Sequence, residues 1–212
     1  MGTRPRDAIY AAVKRRIVLN ELRPGMILTE LGLASDLDCS QGPVREALMR
    51  LQEEGLVLRN GHRGTVVTPL NPEEAEEILA LRRRIEVRAA PKAAQRVDAR
   101  ALQRLAQFNA RMAEAAAAGD EYALIELDTA FHLEIFRLAE LRALEQILVR
   151  CILHSHRQKL WEPRHRRPLL ETAARHDTLY DRLAVRDGDG LAAALGEHID
   201  TIVEVQAARV AS

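Results

Sequence analysis

The chain has 212 residues, 47% of them hydrophobic and 29% charged, with a formal net charge of zero; this is ample for one or two packed domains and excludes a chain that is basic throughout. No run approaches the roughly 18 to 20 uninterrupted apolar residues a bilayer span needs, and MGTRPRDAIYAAVKRR lacks the apolar segment of a signal peptide, so a cytoplasmic protein with no membrane partner is expected. Cys39 and Cys151 form no CxxC, which argues against a disulfide framework and against a cysteine zinc site.

Residues 7–19 place Ile9, Ala12, Val13 and Ile17 at helical spacing, and LRPGM then turns the chain. A short helix follows, with Thr29 as its cap and Leu31, Leu33, Ala34 and Leu37 as its apolar positions. After the turn DLDCS, Ser40 caps a third helix, QGPVREALMRLQEEGL, in which Val44, Leu48 and Leu51 form the buried stripe while Gln41, Arg45 and Arg50 lie off it. Two helices joined by a tight turn make a helix-turn-helix. LVLRN-GHRG-TVVTP closes the unit with a small β-hairpin around a basic tip, which predicts a winged helix. Such a helix presents donors to the major groove, where arginine bonds guanine O6 and N7 bidentately, while Ser40 and the helix N-terminus can meet phosphate. His62 and Arg63 on the wing are placed to reach backbone or minor groove. The competing reading is a solvated arginine face.

At TPLNPEEAEEI a new helix opens, with Asn71 as cap and Pro72 in the first position, so the domains are read as 1–69 and 70–212. About six helices follow, near 72–97, 99–118, 121–139, 141–160, 168–186 and 190–209, with Asp98 and Asp120 as caps and a kink or break expected at Pro91. The expected fold is mainly α, a winged helix-turn-helix domain followed by an all-α bundle of about six helices.

The bundle raises one chemical question. In DTAFH, Asp128 and His132 lie four residues apart and share a stripe with Phe136 and Ala139, so both ionisable groups point into the bundle. His176 lies on the apolar stripe of a later helix with Leu179, Tyr180 and Leu183, and His198 on that of the last with Leu191, Leu195 and Ile202. One carboxylate with three imidazoles suits a divalent ion such as zinc, nickel or manganese rather than calcium. The alternative is a hydrogen-bonded Asp–His pair beside two ordinary core histidines. His154 and His156 are two apart and face different ways, and His165 falls in a proline-bounded loop, so none of these is expected to join. No HExxH occurs and no nucleophile motif is evident, which argues against an enzyme.

SQGPVREALMRLQEEGLV, with LTELGLASDLDC before it and GHRGTVV after it, resembles the winged helix of GntR-family transcription regulators. The resemblance implies that Arg45 reads bases and Ser40 touches phosphate. Gln41 stands where many members carry a base-reading arginine, and Gly42 replaces a threonine that can touch phosphate. The helical part resembles the FCD ligand-binding domain of the FadR subfamily, whose Asp-x-x-x-His followed by two later histidines matches Asp128, His132, His176 and His198. This implies a divalent metal, zinc first, and a small organic-acid effector held partly by Arg82 of ALRRRIE. It also implies a cytoplasmic homodimer acting as a repressor on a palindromic double-stranded operator. The alternative kept beside it is a metal-responsive regulator with no organic effector.

Overall fold

The computed structural model describes residues 5–59, 64–161 and 167–202, in two compact units, Met1–Glu74 and Ala75–Ser212. In the first, α1 (Pro5–Val18), α2 (Glu30–Asp36) and α3 (Gln41–Glu53) enclose wholly buried Val13, Ile17, Val44 and Leu51. Thr29 caps α2 as expected, its hydroxyl accepting from the Gly32 amide at 3.0 Å. Leu31 departs from its expected place, because at 69% exposed it lies on the solvent side of α2 rather than on its apolar stripe. Behind the helices is a three-stranded antiparallel sheet in the order β1 (Ile27–Leu28), β3 (Thr65–Val67), β2 (Val57–Arg59). The β2–β3 pair was legible in the sequence, whereas β1 was not, since its two residues carry no alternating pattern and are fixed only by pairing with Thr65 and Val66.

In the second unit, the described helices are α4 (Pro72–Arg96), α5 (Ala99–Ala117), α6 (Glu121–Leu138), α7 (Glu145–Trp161), α8 (Leu169–Ala184) and α9 (Gly188–Asp200), with a 3-10 turn at Arg142–Leu144. Asp98 and Asp120 cap α5 and α6, accepting from the Ala101 and Ala123 amides at 2.7 and 3.0 Å. The core joins Ala90, Ala93 and Ala94 of α4 to Leu105, Met112, Phe131, Ile135, Leu179 and Leu195. Burying each of the larger side chains contributes about 1.5–3 kcal/mol.

Two expectations need correction. The chain does not break at Pro91; α4 runs through it, because the surrounding Ala89, Ala90, Ala93 and Ala94 are small and buried and their packing offsets one missing amide bond. The last helix begins at Gly188 rather than residue 190, capped by Asp187, which accepts from the Gly190 amide at 2.8 Å, and its expected extension beyond residue 202 lies outside the described residues. Gly188 has a packing reason: a Cβ there would come 2.8 Å from the Pro91 Cα, so α9 can start against α4 only without a side chain. Among the described residues no helix is long and apolar enough to cross a membrane.

Candidate metal centre and nucleic-acid interface

Helices α6, α8 and α9 bring Asp128, His132, His176 and His198 together, all buried, with one donor atom from each within 4.8 Å of the others. The four donors surround a common point, and movements of about an ångström would bring them to the ~2.0–2.1 Å at which imidazole nitrogen binds zinc.

The hydrogen bonds around the cluster fix its polarity. Glu86 Oε2 of α4 lies 2.6 Å from His132 Nδ1, and the Ala173 carbonyl oxygen lies 3.1 Å from His176 Nδ1. Both partners are acceptors, so Nδ1 of each ring donates outward and Nε2 faces the cluster. His132 Nε2 then faces His198 Nε2 at 3.3 Å, and His176 Nε2 faces Asp128 Oδ1 at 3.0 Å. In the metal-free protein a proton can close each of these contacts; a cation shared by the same donors would take its place.

The titration behaviour agrees with that geometry. Burial, with the nearby His176 and His132 rings, holds His198 well below the usual imidazole range, so it is neutral and ready to ligate. For Asp128 burial pulls upward, but His156 and His176 outweigh it and hold the carboxyl well below its ordinary value. Glu86 likewise feels burial upward and is brought to about 2 by His132 and Arg82. Both carboxylates are ionised.

Three residues around the cluster, His156, Glu86 and Lys159, stand apart from the sequence reading. His156 joins it after all: its Nε2 lies 2.9 Å from Asp128 Oδ2, because α7 turns this ring inward while His154 stays half-buried. Glu86 was missed, although a carboxylate one turn after Arg82 on the stripe of Ile85, Ala89 and Ala90 was a readable signal. Arg82 is fully buried, as its place in ALRRRIE suggested; its Nε donates to Glu86 at 2.7 Å, while Nη1 and Nη2 are buried without a partner. Lys159 is buried close by, its Nζ 3.4 Å from Thr172 Oγ1.

The first unit carries its polar groups outward. Ser40 holds the N-cap position of α3 with extended backbone (φ −80°, ψ 161°), but its hydroxyl makes no cap bond. Gln41, Gly42 and Arg45 follow on the exposed side of the first turns. A Cβ on Gly42 would meet nothing within 4 Å, so the glycine answers no packing need and leaves the helix N-terminus bare. The Arg45 guanidinium bonds Glu30 of α2 at 3.0 and 2.8 Å. Arg50 faces α1 instead, bonding Asp7 at 2.9 Å and stacking 3.7 Å from the centre of the Tyr10 ring. His62 and Arg63 lie outside the described residues.

Comparison with known proteins agrees with both halves. Residues 5–67 match the bacterial regulatory proteins of the gntR family, and residues 77–201 match the FCD domain. The chain belongs to the GntR family of transcription regulators. Members of this family bind DNA, and this regulator sits among transcription factors rather than enzymes. It is similar to the Nta operon transcriptional regulator of Aminobacter aminovorans, 31% identical over 86% of this chain and 87% of that protein. It is also similar to the HTH-type transcriptional repressor RspR of Escherichia coli (strain K12), 26% identical over 92% and 86%. The solved structure of E. coli McbR/YncC shares its fold, with a TM-score of 0.75 at 21% identity over 94% of this chain and 95% of that one.

Proposed function

We propose that this GntR regulator is an effector-controlled repressor. In this reading residues 1–69 bind a palindromic operator as one half of a homodimer, and residues 70–212 hold a divalent metal with an organic acid beside it. Asp128, His132, His176 and His198 are the ligands, with zinc as the first candidate and nickel or manganese behind it. A bound ion would act as a Lewis acid with open positions for a carboxylate. Glu86 fixes the His132 tautomer, and His156 holds the second Asp128 oxygen. On the DNA side, Arg45 and Gln41 read base edges while Ser40 and the amides at Gly42 meet phosphate; Arg50 is in a solvated pair with Asp7 of α1, which it can leave for the duplex.

The observation that carries the effector is the pair of partnerless Arg82 nitrogens, buried on α4, which carries Glu86 into the cluster. Two buried N–H groups in a fork fit a carboxylate, and leaving them unbonded costs about 1–3 kcal/mol. The relative named as a repressor supports the negative sign. A second reading, in which the ion itself is the signal, is favoured by the size of the cavity that reaches Asp128 and His156, about 10 Å³, room for one water.

Operator binding measured by fluorescence anisotropy distinguishes them, with metal-loaded protein titrated by a panel of small carboxylates. Release of operator by an acid, lost in Arg82→Lys, supports the effector reading. Binding that follows added zinc and ignores every acid selects the ion as signal. Zinc content unchanged in His176→Ala would overturn both.

A further inference from the structure

Helix α2 carries an apolar side chain that the core does not use. Its buried positions are Leu33 and Ala34, whereas Leu31 in the first turn is 69% exposed, more than any other large hydrophobic side chain described in this unit. Ile27 and Leu58 are exposed in a different setting, flanking Val66 in one cross-strand row of the sheet, where neighbours cover them in part. Beside Leu31 are only Gly32 and, one turn on, Ser35, both exposed. The turn that holds it is fixed. Thr29 Oγ1 accepts from the Gly32 amide at 3.0 Å, and a Cβ on Gly32 would come 2.8 Å from that oxygen.

A leucine in water needs no explanation by itself; its place supplies one. Glu30, the residue before it, is held by Arg45 of α3 at 3.0 and 2.8 Å, so the first turn of α2 stands beside the first turns of α3. Those are the turns that present Gln41 and Arg45. A helix-turn-helix lays this end of its second helix in the major groove and its first helix across the adjoining backbone. Leu31 therefore stands at the edge of the groove. Its chemistry limits what it can meet there, because it has no donor or acceptor for a phosphate or a polar base edge. Thymine alone of the four bases offers the major groove a methyl group, and an apolar side chain reads it by burying it. Such a contact removes apolar surface from water on both sides and strands no polar group.

We propose that Leu31 is a specificity-determining residue that reads a thymine methyl next to the base met by Arg45. This deepens the reading of residues 1–69 as an operator-binding unit and rests on it. Arg45 and Gln41 supply the hydrogen bonds of the readout, and Leu31 supplies its apolar complement.

The probe is a duplex selected by the full-length chain from a random library, in which each thymine is replaced in turn by deoxyuridine. That change keeps the base pair and its polar edge and removes only the methyl. Fluorescence anisotropy should show about three- to fivefold weaker binding at one such position, the value of one buried methyl-sized group. Leu31→Ala should bind the unsubstituted duplex more weakly by a similar factor and no longer distinguish thymine from deoxyuridine there, while its own selection keeps the other bases. Circular dichroism of the variant confirms its helices. A natural chain that selects no sequence overturns base readout by this unit and the leucine contact with it. Once a sequence is selected, a flat deoxyuridine scan or the lack of any required thymine overturns the Leu31 contact alone. So does a methyl effect that persists in Leu31→Ala and disappears in Met49→Ala, since Met49 follows Arg45 by one turn of α3 and is 53% exposed. Equal weakening of Leu31→Ala on random duplex would make Leu31 a backbone contact and overturn its part in specificity.

Discussion

Arg45 and Arg82 are both arginines bonded to a glutamate, and everything around the two pairs differs. Arg45 and Glu30 are 58% and 27% exposed, in water on the DNA-facing unit. Arg82 and Glu86 are 0% and 3% exposed, with a histidine on the far oxygen of the carboxylate. A solvated pair is worth little and exchanges freely, so Arg45 can leave Glu30 for another partner at small cost. A buried pair cannot be broken without stranding a charge, so Arg82 is held ready for whatever meets its remaining nitrogens. One unit keeps its recognition groups exchangeable and the other keeps them fixed.

The largest effect should come from breaking the fixed pair. Glu86→Ala leaves Arg82 charged, buried and without its carboxylate, and frees the His132 ring to rotate. Destabilisation of about 3–5 kcal/mol is expected in urea unfolding of the metal-free protein, together with a loss of zinc affinity of about ten- to a hundredfold. Glu86→Gln keeps the shape and should recover part of the stability but not the zinc affinity. If both variants unfold with the natural midpoint, the buried network does not hold the bundle.

Acid should separate the units next. In the metal-free protein His198 is kept neutral by burial, below its unfolded value of 6.5, so as pH falls through 6.5 the unfolded chain takes up a proton that the folded chain refuses. Stability of the second unit therefore declines on acidification from there. A further decline follows between 4.5 and about 2, where Glu86 stays ionised only in the folded state. Urea midpoints measured from pH 8 to 2 test this: His198→Phe should flatten the upper part of the curve, and an unchanged slope in that variant would assign it elsewhere.

What could be read in the sequence follows from how each group is placed. Asp128, His132, His176 and His198 were visible because each interrupts an apolar stripe of its own helix, and three stripes of one bundle share a centre. His156 was invisible for the opposite reason. Spacing within HSHRQ says that His154 and His156 diverge, but which of them turns inward depends on the rotation of α7 against α6, which only packing fixes. Glu86 is an intermediate case, written on the buried stripe of α4 but overshadowed by the arginines beside it. In the winged unit the helices and the β2–β3 hairpin are local in sequence, whereas β1 exists only through its long-range pairing with β3.

The smallest effects belong to the exchangeable pair, and they have opposite signs. On the proposed readout, Arg45→Ala should weaken specific operator binding by about ten- to a hundredfold while leaving random duplex nearly unchanged. Equal weakening on both would make Arg45 a phosphate contact. Glu30→Ala removes the partner Arg45 must leave and also takes a negative charge away from the DNA-facing surface, so it should strengthen operator binding by about two- to fivefold, most at low salt. Because the pair is solvated, neither change should move the urea midpoint measurably. Should Glu30→Ala instead weaken operator binding, the glutamate would be positioning Arg45 for its base rather than competing for it, and the head would then resemble the body in holding its arginine in advance.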